Sequence, residues 1–465
     1  MGTASPPLRK RVNRDRVWLW LGFAALLAFA LFFLVRPFIE PGDAYRPRLV
    51  PGITYAYSFL IASAFVPYAV AAWASRRGIP FWPAAIAGGA LHLIVLFAPL
   101  TQSQDLYAYL FYGKMWAVHG ANPYTVLPLA FASDTWFPWM QWADQASVYG
   151  PLWTILSGGV ARLAGNSLGL GYALMKAAIL GLGVASIMGI ARASELRGRL
   201  PGRDVLLGLW NPLIIVALAL GGHADVAVVA AVVWALVADR RGRPMPAALL
   251  LSAAWLVKAY AGVVLLVYLL ALARRRITLG LRGGAVAAVV TVLAWLPFWK
   301  GPVTLEGLGE IAGRASASLA GQIQLLLEQP LGETAATVVR VVGVVILLGV
   351  IFVVTRRPGF PEDPWPAAAA AFLAYVAVTP WFLYWHLAGP LALALVAGSP
   401  AVRAAALTFS GTSMLTASFG GNPWGRAVQT SLRYGIPAVA AVRAARRPAR
   451  EGAPPRSRPR RRSSA

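Results

Sequence analysis

The stretch from Gln104 to Tyr124, QDLYAYLFYGKMWAVHGANPY, concentrates reactive side chains as no other part of this chain does. It sets Asp105, Lys114 and His119 among six aromatic residues. Tyr109 and Tyr112 fall four and seven positions after Asp105, so a helix would stack them on one face. A carboxylate over an aromatic shelf suits a sugar hydroxyl, which needs a base for its proton and apolar faces for its ring. Asp105 directly follows an apolar run, where desolvation would raise its pKa. A plainer reading of the same residues is a helix-capping Asp followed by an interfacial aromatic belt.

Three other groups invite the same question. Asn211-Pro212 is followed by Gly221-Gly222-His223-Ala224-Asp225, which puts an imidazole two residues from a carboxylate at the tip of an apolar hairpin. Ionisable groups are costly there and point to function. A glycine turn with Asp capping the next helix is the structural alternative, although a cap has no need of His. Lys258 is the sole charge between Pro246 and Ala273, so an anion should meet it, either an Asp or a lipid phosphate. Trp381, Tyr384, Trp385 and His386 form a fourth cluster, which an aromatic belt would also explain. His92 lies within an apolar run and reads as a hydrogen-bonded core residue. No His, Asp or Glu spacing resembles a metal motif, and no G-x-x-x-x-G-K-[ST] phosphate loop is present.

The elements that must hold these residues are membrane spans. Of 465 residues, 58% are hydrophobic and only 13% charged, about half the share in a soluble domain. Mean hydropathy is +0.63, and apolar runs recur from end to end. The absence of Cys excludes disulfides, thiolate metal sites and Cys nucleophiles. The net charge of +25 resembles a nucleic-acid signal only until it is located. About half of it sits in two tails: Arg9, Lys10, Arg11, Arg14 and Arg16 against Asp15, and nine Arg against Glu451 from Arg443 onward. Basic ends of apolar spans stay cytoplasmic and can touch anionic headgroups, so no nucleic-acid partner is expected.

The chain therefore reads as a basic tail (1–16), one multispanning membrane domain (17–442) and an Arg-rich tail (443–465), with both termini cytoplasmic. The first run, Val17 to Val35, ends at Arg36-Pro37 rather than at a small-residue cleavage site, so it is a span and not a cleaved signal. Residues 100–148 and 301–333 become external loops, and the first should carry an interfacial helix. Parity asks one apolar run to lie along or dip into the membrane, and the short run from Tyr149 to Ala164, containing Arg162, fits best. Pro246 to Ala273, at 28 residues, is too long for one crossing and too short for two. A re-entrant pair of half-helices with Lys258 near its tip follows. The expected fold is all-α and polytopic, with 11–13 transmembrane helices and external loops forming the site.

Taken in order, the block from Asp105 to Tyr124, VYGPLW at Val148–Trp153, NPL at Asn211–Leu213, GHAD at Gly222–Asp225 and the lone Lys258 resemble the membrane glycosyltransferases of the GT-C superfamily. The pattern is that of the bacterial polyprenol-phosphate-mannose-dependent α-1,6-mannosyltransferases. The likeness runs from Gln102 to Lys258 and continues beyond only in hydropathy. It implies transfer of a hexose, mannose in that group, from a polyprenyl phosphate carrier to an external glycan or lipid acceptor, at the extracytoplasmic side of the cell membrane. The acid of the first long external loop, here Asp105, would serve catalysis. With no neighbouring acid, it implies no metal and no cofactor. Tyr109, Lys114, His119, Asn122, Tyr124, Tyr149, His223, Asp225, Lys258, Trp381 and His386 would contact substrate, with Lys258 and Lys114 on the phosphate. A transporter or flippase of a lipid-linked sugar is the rival reading; it asks for paired broken helices in two related halves, and only one such element is evident.

Overall fold

A computed structural model describes residues 8–39, 59–100, 103–316, 318–414 and 423–446. The N-terminal residues 1–7 and the arginine-rich end from 447 onward lie outside the described residues. The regular elements among those described are helices. In chain order they are α1 (Leu8–Ile39), α2 (Phe59–Arg77), α3 (Phe81–Leu96), α4 (Asp105–Ala117), α5 (Pro151–Ala164), α6 (Leu168–Glu195), α7 (Pro201–Leu209), α8 (Asp225–Arg240) and α9 (Pro244–Val257). There follow α10 (Gly262–Arg275), α11 (Ile277–Trp295), α12 (Leu319–Leu331), α13 (Thr334–Thr355), α14 (Trp365–Val378), α15 (Ala388–Ala397), α16 (Pro400–Ser413) and α17 (Pro423–Arg446). Helix starts follow local chemistry. Pro occupies the first turn of α5, α7, α9 and α16, where its missing N–H has no partner to lose, and Ser167 caps Leu170 at the start of α6.

Two kinds of helix divide the labour. α1, α2, α6, α11 and α13 are long and apolar enough to cross a membrane, and α7 with Pro212–Leu220 makes one more span bent by 56°. Within α11 and α13 only 17% and 22% of the apolar window is buried, so their side chains are turned toward lipid. At the centre α8 buries its valines against α6, α9 and α15. The second kind is short: α3, α9, α14 and the segment Tyr384–Ala397 run 10–17 residues. At 1.5 Å per residue they measure about 15–25 Å against a hydrocarbon core of about 30 Å. Against the eleven to thirteen crossings expected from hydropathy, five helices among the described residues are long and apolar enough to cross, six with the bent pair.

The short helices stop at a common level. α3 ends before Asp105, α8 begins at Asp225, α9 ends before Lys258, α14 ends before Thr379, and α15 begins after His386. α9 and α10 form a hairpin: Lys258 is extended at the break, and Tyr268 Oη on α10 reaches back to the carbonyl of Pro244 at the start of α9. The opposite ends of the same helices are tied by ion pairs, Arg240 with Asp363 and Arg275 with Asp239, and by Arg403 and Arg199 on Asp204. One end of the bundle is closed by charge, and the other is left hollow.

One local expectation changes. The aromatics of α4 are not an exposed face: its residues from Asp105 to Met115 are buried. It lies parallel to α5, with Tyr109 against Trp153 and the Arg162 guanidinium donating to the carbonyl of Ala117. The aromatics that read as a belt are instead its packing surface.

Candidate active site

The hollow end holds a cavity of about 590 Å³, within the range of ligand pockets. Asp105, Tyr112, Tyr149, Lys258, Trp381 and His386 line it. Asp105 is the first residue of α4, and its own N–H donates to Ser103 Oγ. The carboxylate is not a cap. Its Oδ2 lies 3.4 Å from His223 Nδ1. Burial would raise this carboxyl, but the neighbouring imidazole of His223, then the charge of Lys258, outweigh burial and hold it below its ordinary value. The rise expected from desolvation alone is therefore reversed by partners that only the fold supplies. Tyr149 behaves conventionally: burial, then the charge of Asp105, push its hydroxyl well above the usual phenol range, so it stays a donor.

His223 and Asp225 stand directly behind the cavity wall. His223 is fully buried and stacks on Trp385, ring centroids 3.9 Å apart and planes 17° from parallel. Its backbone depends on Gly222, which adopts φ +69°; a Cβ there would sit 2.6 Å from Leu106 Cδ1. Asp225 is the first residue of α8, yet its carboxylate is spent elsewhere. Oδ1 accepts from Tyr260 Oη at 2.5 Å, and Oδ2 lies 2.8 Å from Lys258 Nζ. The anion expected for Lys258 is thus Asp225. Tyr109 is also behind the wall: it packs edge-on against Tyr149 at 4.5 Å, and its hydroxyl accepts from Ala224 N–H at 3.4 Å. Gly150 fixes the remaining edge, donating to the carbonyl of Val257 at 3.0 Å where a Cβ would sit 2.0 Å from the carbonyl oxygen of Leu256.

Four of the candidate residues lie away from the cavity. Lys114 Nζ is 2.8 Å from Asp134, and the imidazole of His119 contacts the same carboxylate at 2.8 Å. Asn122 Nδ2 donates to the carbonyl of Phe298 at 2.6 Å, and Tyr124 Oη to that of Tyr149 at 2.8 Å. They tie the 100–148 loop into shape. Asp134 escaped the sequence reading because nothing in its own neighbourhood announces a partner twenty residues upstream.

Sequence reasoning also missed Lys176 of α6, whose Nζ donates to the carbonyls of Ala219 and Leu220 at 2.8 and 2.9 Å. These carbonyls close the π-helical turn Ile215–Leu220 that delivers the glycine-histidine tip. Arg314 and Arg340, which line the cavity, were missed as well. A charge within the apolar run of α13 was the available signal for Arg340. Among the described residues no group of three His, Cys, Asp or Glu side chains converges.

Fold and site together define the class, an all-helical polytopic membrane protein with its polar site at one end of the bundle. Residues 56–274 match the family model described as Alpha-(1->6)-mannopyranosyltransferase, N-terminal domain. The chain is also similar to Alpha-(1->6)-mannopyranosyltransferase A of Mycobacterium tuberculosis, 24% identical over 333 residues. That match covers 65% of this chain and 63% of the relative, so it spans less than two thirds of the relative's length. No solved structure gives a significant match. Asp105, Tyr149, His223, Asp225 and Lys258 fall inside the matched family region, whereas Arg314, Arg340, Trp381 and His386 fall outside it.

Proposed function

We propose that this protein is a glycosyltransferase that moves mannose from a polyprenyl phosphate to a glycan or glycolipid acceptor at the extracytoplasmic face, with Asp105 as general base. The observation that carries the reading is a low-pKa carboxylate, backed by His223, opening into a cavity with aromatic walls in the membrane end of a mannosyltransferase-like fold. The acceptor hydroxyl gives its proton to Asp105 as its oxygen bonds to the anomeric carbon. The bond from that carbon to the phosphate oxygen breaks, and the electron pair leaves with the phosphate. His223 Nδ1–H orients the carboxylate, and stacking on Trp385 fixes the imidazole plane. Tyr112, Tyr149 and Trp381 offer faces for pyranose rings. Lys258, anchored by Asp225, keeps donors for sugar oxygens.

The orientation is supported by charge. Arg76, Arg77, Arg240, Arg243, Arg274 and Arg275 all sit at helix ends remote from the cavity, as expected of a cytoplasmic face. The test is transfer itself. Purified protein is incubated with radiolabelled polyprenyl-phosphate hexoses and with glycan and glycolipid acceptors. Product from the mannosyl donor is expected; absence of product from every lipid-linked donor would overturn the reading.

A further inference from the structure

Lys258 cannot be the main seat of an incoming phosphate, because Asp225 already neutralises it at 2.8 Å. The same cavity holds two other cations. Arg314 follows the short helix Glu306–Ala312, and Arg340 is the seventh residue of α13. Arg340 binds only its own helix, with Nε donating to Ala336 O and Nη2 to Thr337 Oγ1, each at 3.2 Å. Arg314 faces Gln145; with that amide turned oxygen-first, its Nη2 is 2.9 Å away. Among the described residues neither guanidinium has a carboxylate within 4.0 Å. Arg340 Nη1 lies 3.9 Å from where a Cβ on Gly313, the residue before Arg314, would stand, and both arginines line the one cavity. Two like charges lining one cavity beside an apolar helix call for an anion.

The surface beyond them is apolar and open sideways. Gly343, Val344 and Leu347 follow Arg340 on the same face of α13, at three, four and seven positions, and line the same cavity. Val344 is 55% exposed, and the neighbouring residues of α13 face lipid, so the cavity wall and the membrane surface meet along this helix. A phosphate at the arginines would therefore continue directly into hydrocarbon.

Resting on the glycosyl-transfer reading above, we propose that Arg314 and Arg340 hold the phosphate of a polyprenyl phosphate that enters laterally past α13, its first isoprene units lying on Val344 and Leu347. Lys258 is thereby left to the sugar. The phosphate of an anionic phospholipid has the same charge, so the experiment separates the two.

Binding of sugar-free polyprenyl phosphate, polyprenol, phosphatidylglycerol and inorganic phosphate is measured by tryptophan fluorescence on the full chain in detergent. The wild type, R314Q/R340Q, R314K/R340K and D105N are compared. Polyprenyl phosphate should bind about 10- to 100-fold more weakly to R314Q/R340Q, with partial recovery in the lysine variant and wild-type binding in D105N. Polyprenol should bind weakly and equally to all. V344W, at an exposed site that tolerates bulk, should raise KM for the long-chain donor severalfold and leave binding of inorganic phosphate unchanged. Equal binding of polyprenyl phosphate to the wild type and a folded R314Q/R340Q overturns the site, as does equal competition by phosphatidylglycerol. If transfer still requires Asp105 in that case, the glycosyl-transfer reading survives. If the wild type transfers no sugar, that reading fails whatever the arginines bind.

Discussion

In the proposed reaction Asp105 and His223 are the pair on which the chemistry turns, and their electrostatics set its pH dependence. Because His223 and Lys258 hold the Asp105 carboxyl below its ordinary value, it is ionised throughout the neutral range. A base so placed is always ready but weak, so proton transfer runs late in the transition state. The acid limb of kcat against pH should consequently fall below the ordinary Asp value of about 3.9, and His223→Gln should move it upward by removing the partner that lowers it. A pH–rate profile of both proteins checks this; an unchanged limb in the variant would separate His223 from the base. Asp134 answers to a different balance. Burial raises its carboxyl, while Lys114, the Trp136 N–H and His119 together lower it by more, and the net shift is downward. A folded pKa below the unfolded one contributes stability above the unfolded value and loses it as pH falls through the folded value. Asp134→Asn leaves the Lys114 ammonium buried without its partner, at a cost of about 3 kcal/mol. Thermal unfolding should show a lowered Tm in D134N and partial recovery in D134N/K114M.

The helices reveal what can be read along a chain and what cannot. Two breaks were legible because they are local: Lys258 interrupts a 28-residue apolar run, and Gly221-Gly222 marks the hairpin tip, where Gly222 takes a positive φ. The 56° bend at Asn211-Pro212 was not read from the sequence. The α9–α10 hairpin follows from length and flanking arginines alone. Partners were not legible, since they belong to other helices. The link between Lys176 and the carbonyls of Ala219 and Leu220, and that between Lys114 and Asp134, are set by packing and leave no spacing signal. For the same reason the aromatics of α4 read as an exposed shelf or belt: no polar face betrays their burial, only neighbours that arrive later in the sequence. At this scale Lys176 is a positioning residue. Lys176→Met should loosen the π-helical turn beneath His223 and reduce kcat about tenfold with KM unchanged, while Lys176→Arg retains most of the rate. Wild-type kcat in K176M would show that the turn holds itself.

For the whole molecule the decisive asymmetry is between a charged end and a hollow one. Arginines and their carboxylates close the first, and short helices leave room for the cavity at the second. By the positive-inside rule, the proposed orientation turns the cavity outside. A chain without cysteine offers a clean test of this. Asn166, exposed between α5 and α6, and Arg276, exposed between α10 and α11, lie at opposite ends. In intact cells an impermeant maleimide should label N166C and reach R276C only after permeabilisation. The reverse pattern would invert the topology.

One comparison bears on all of this most directly. Wild-type protein and Asp105→Asn, reconstituted with labelled polyprenyl-phosphate mannose and acceptor, are followed for kcat with donor binding measured in parallel. General-base loss should lower kcat by about 10²–10⁴-fold while donor affinity and Tm stay near wild type. Transfer by D105N at the wild-type rate would contradict the assignment of this carboxylate as the base.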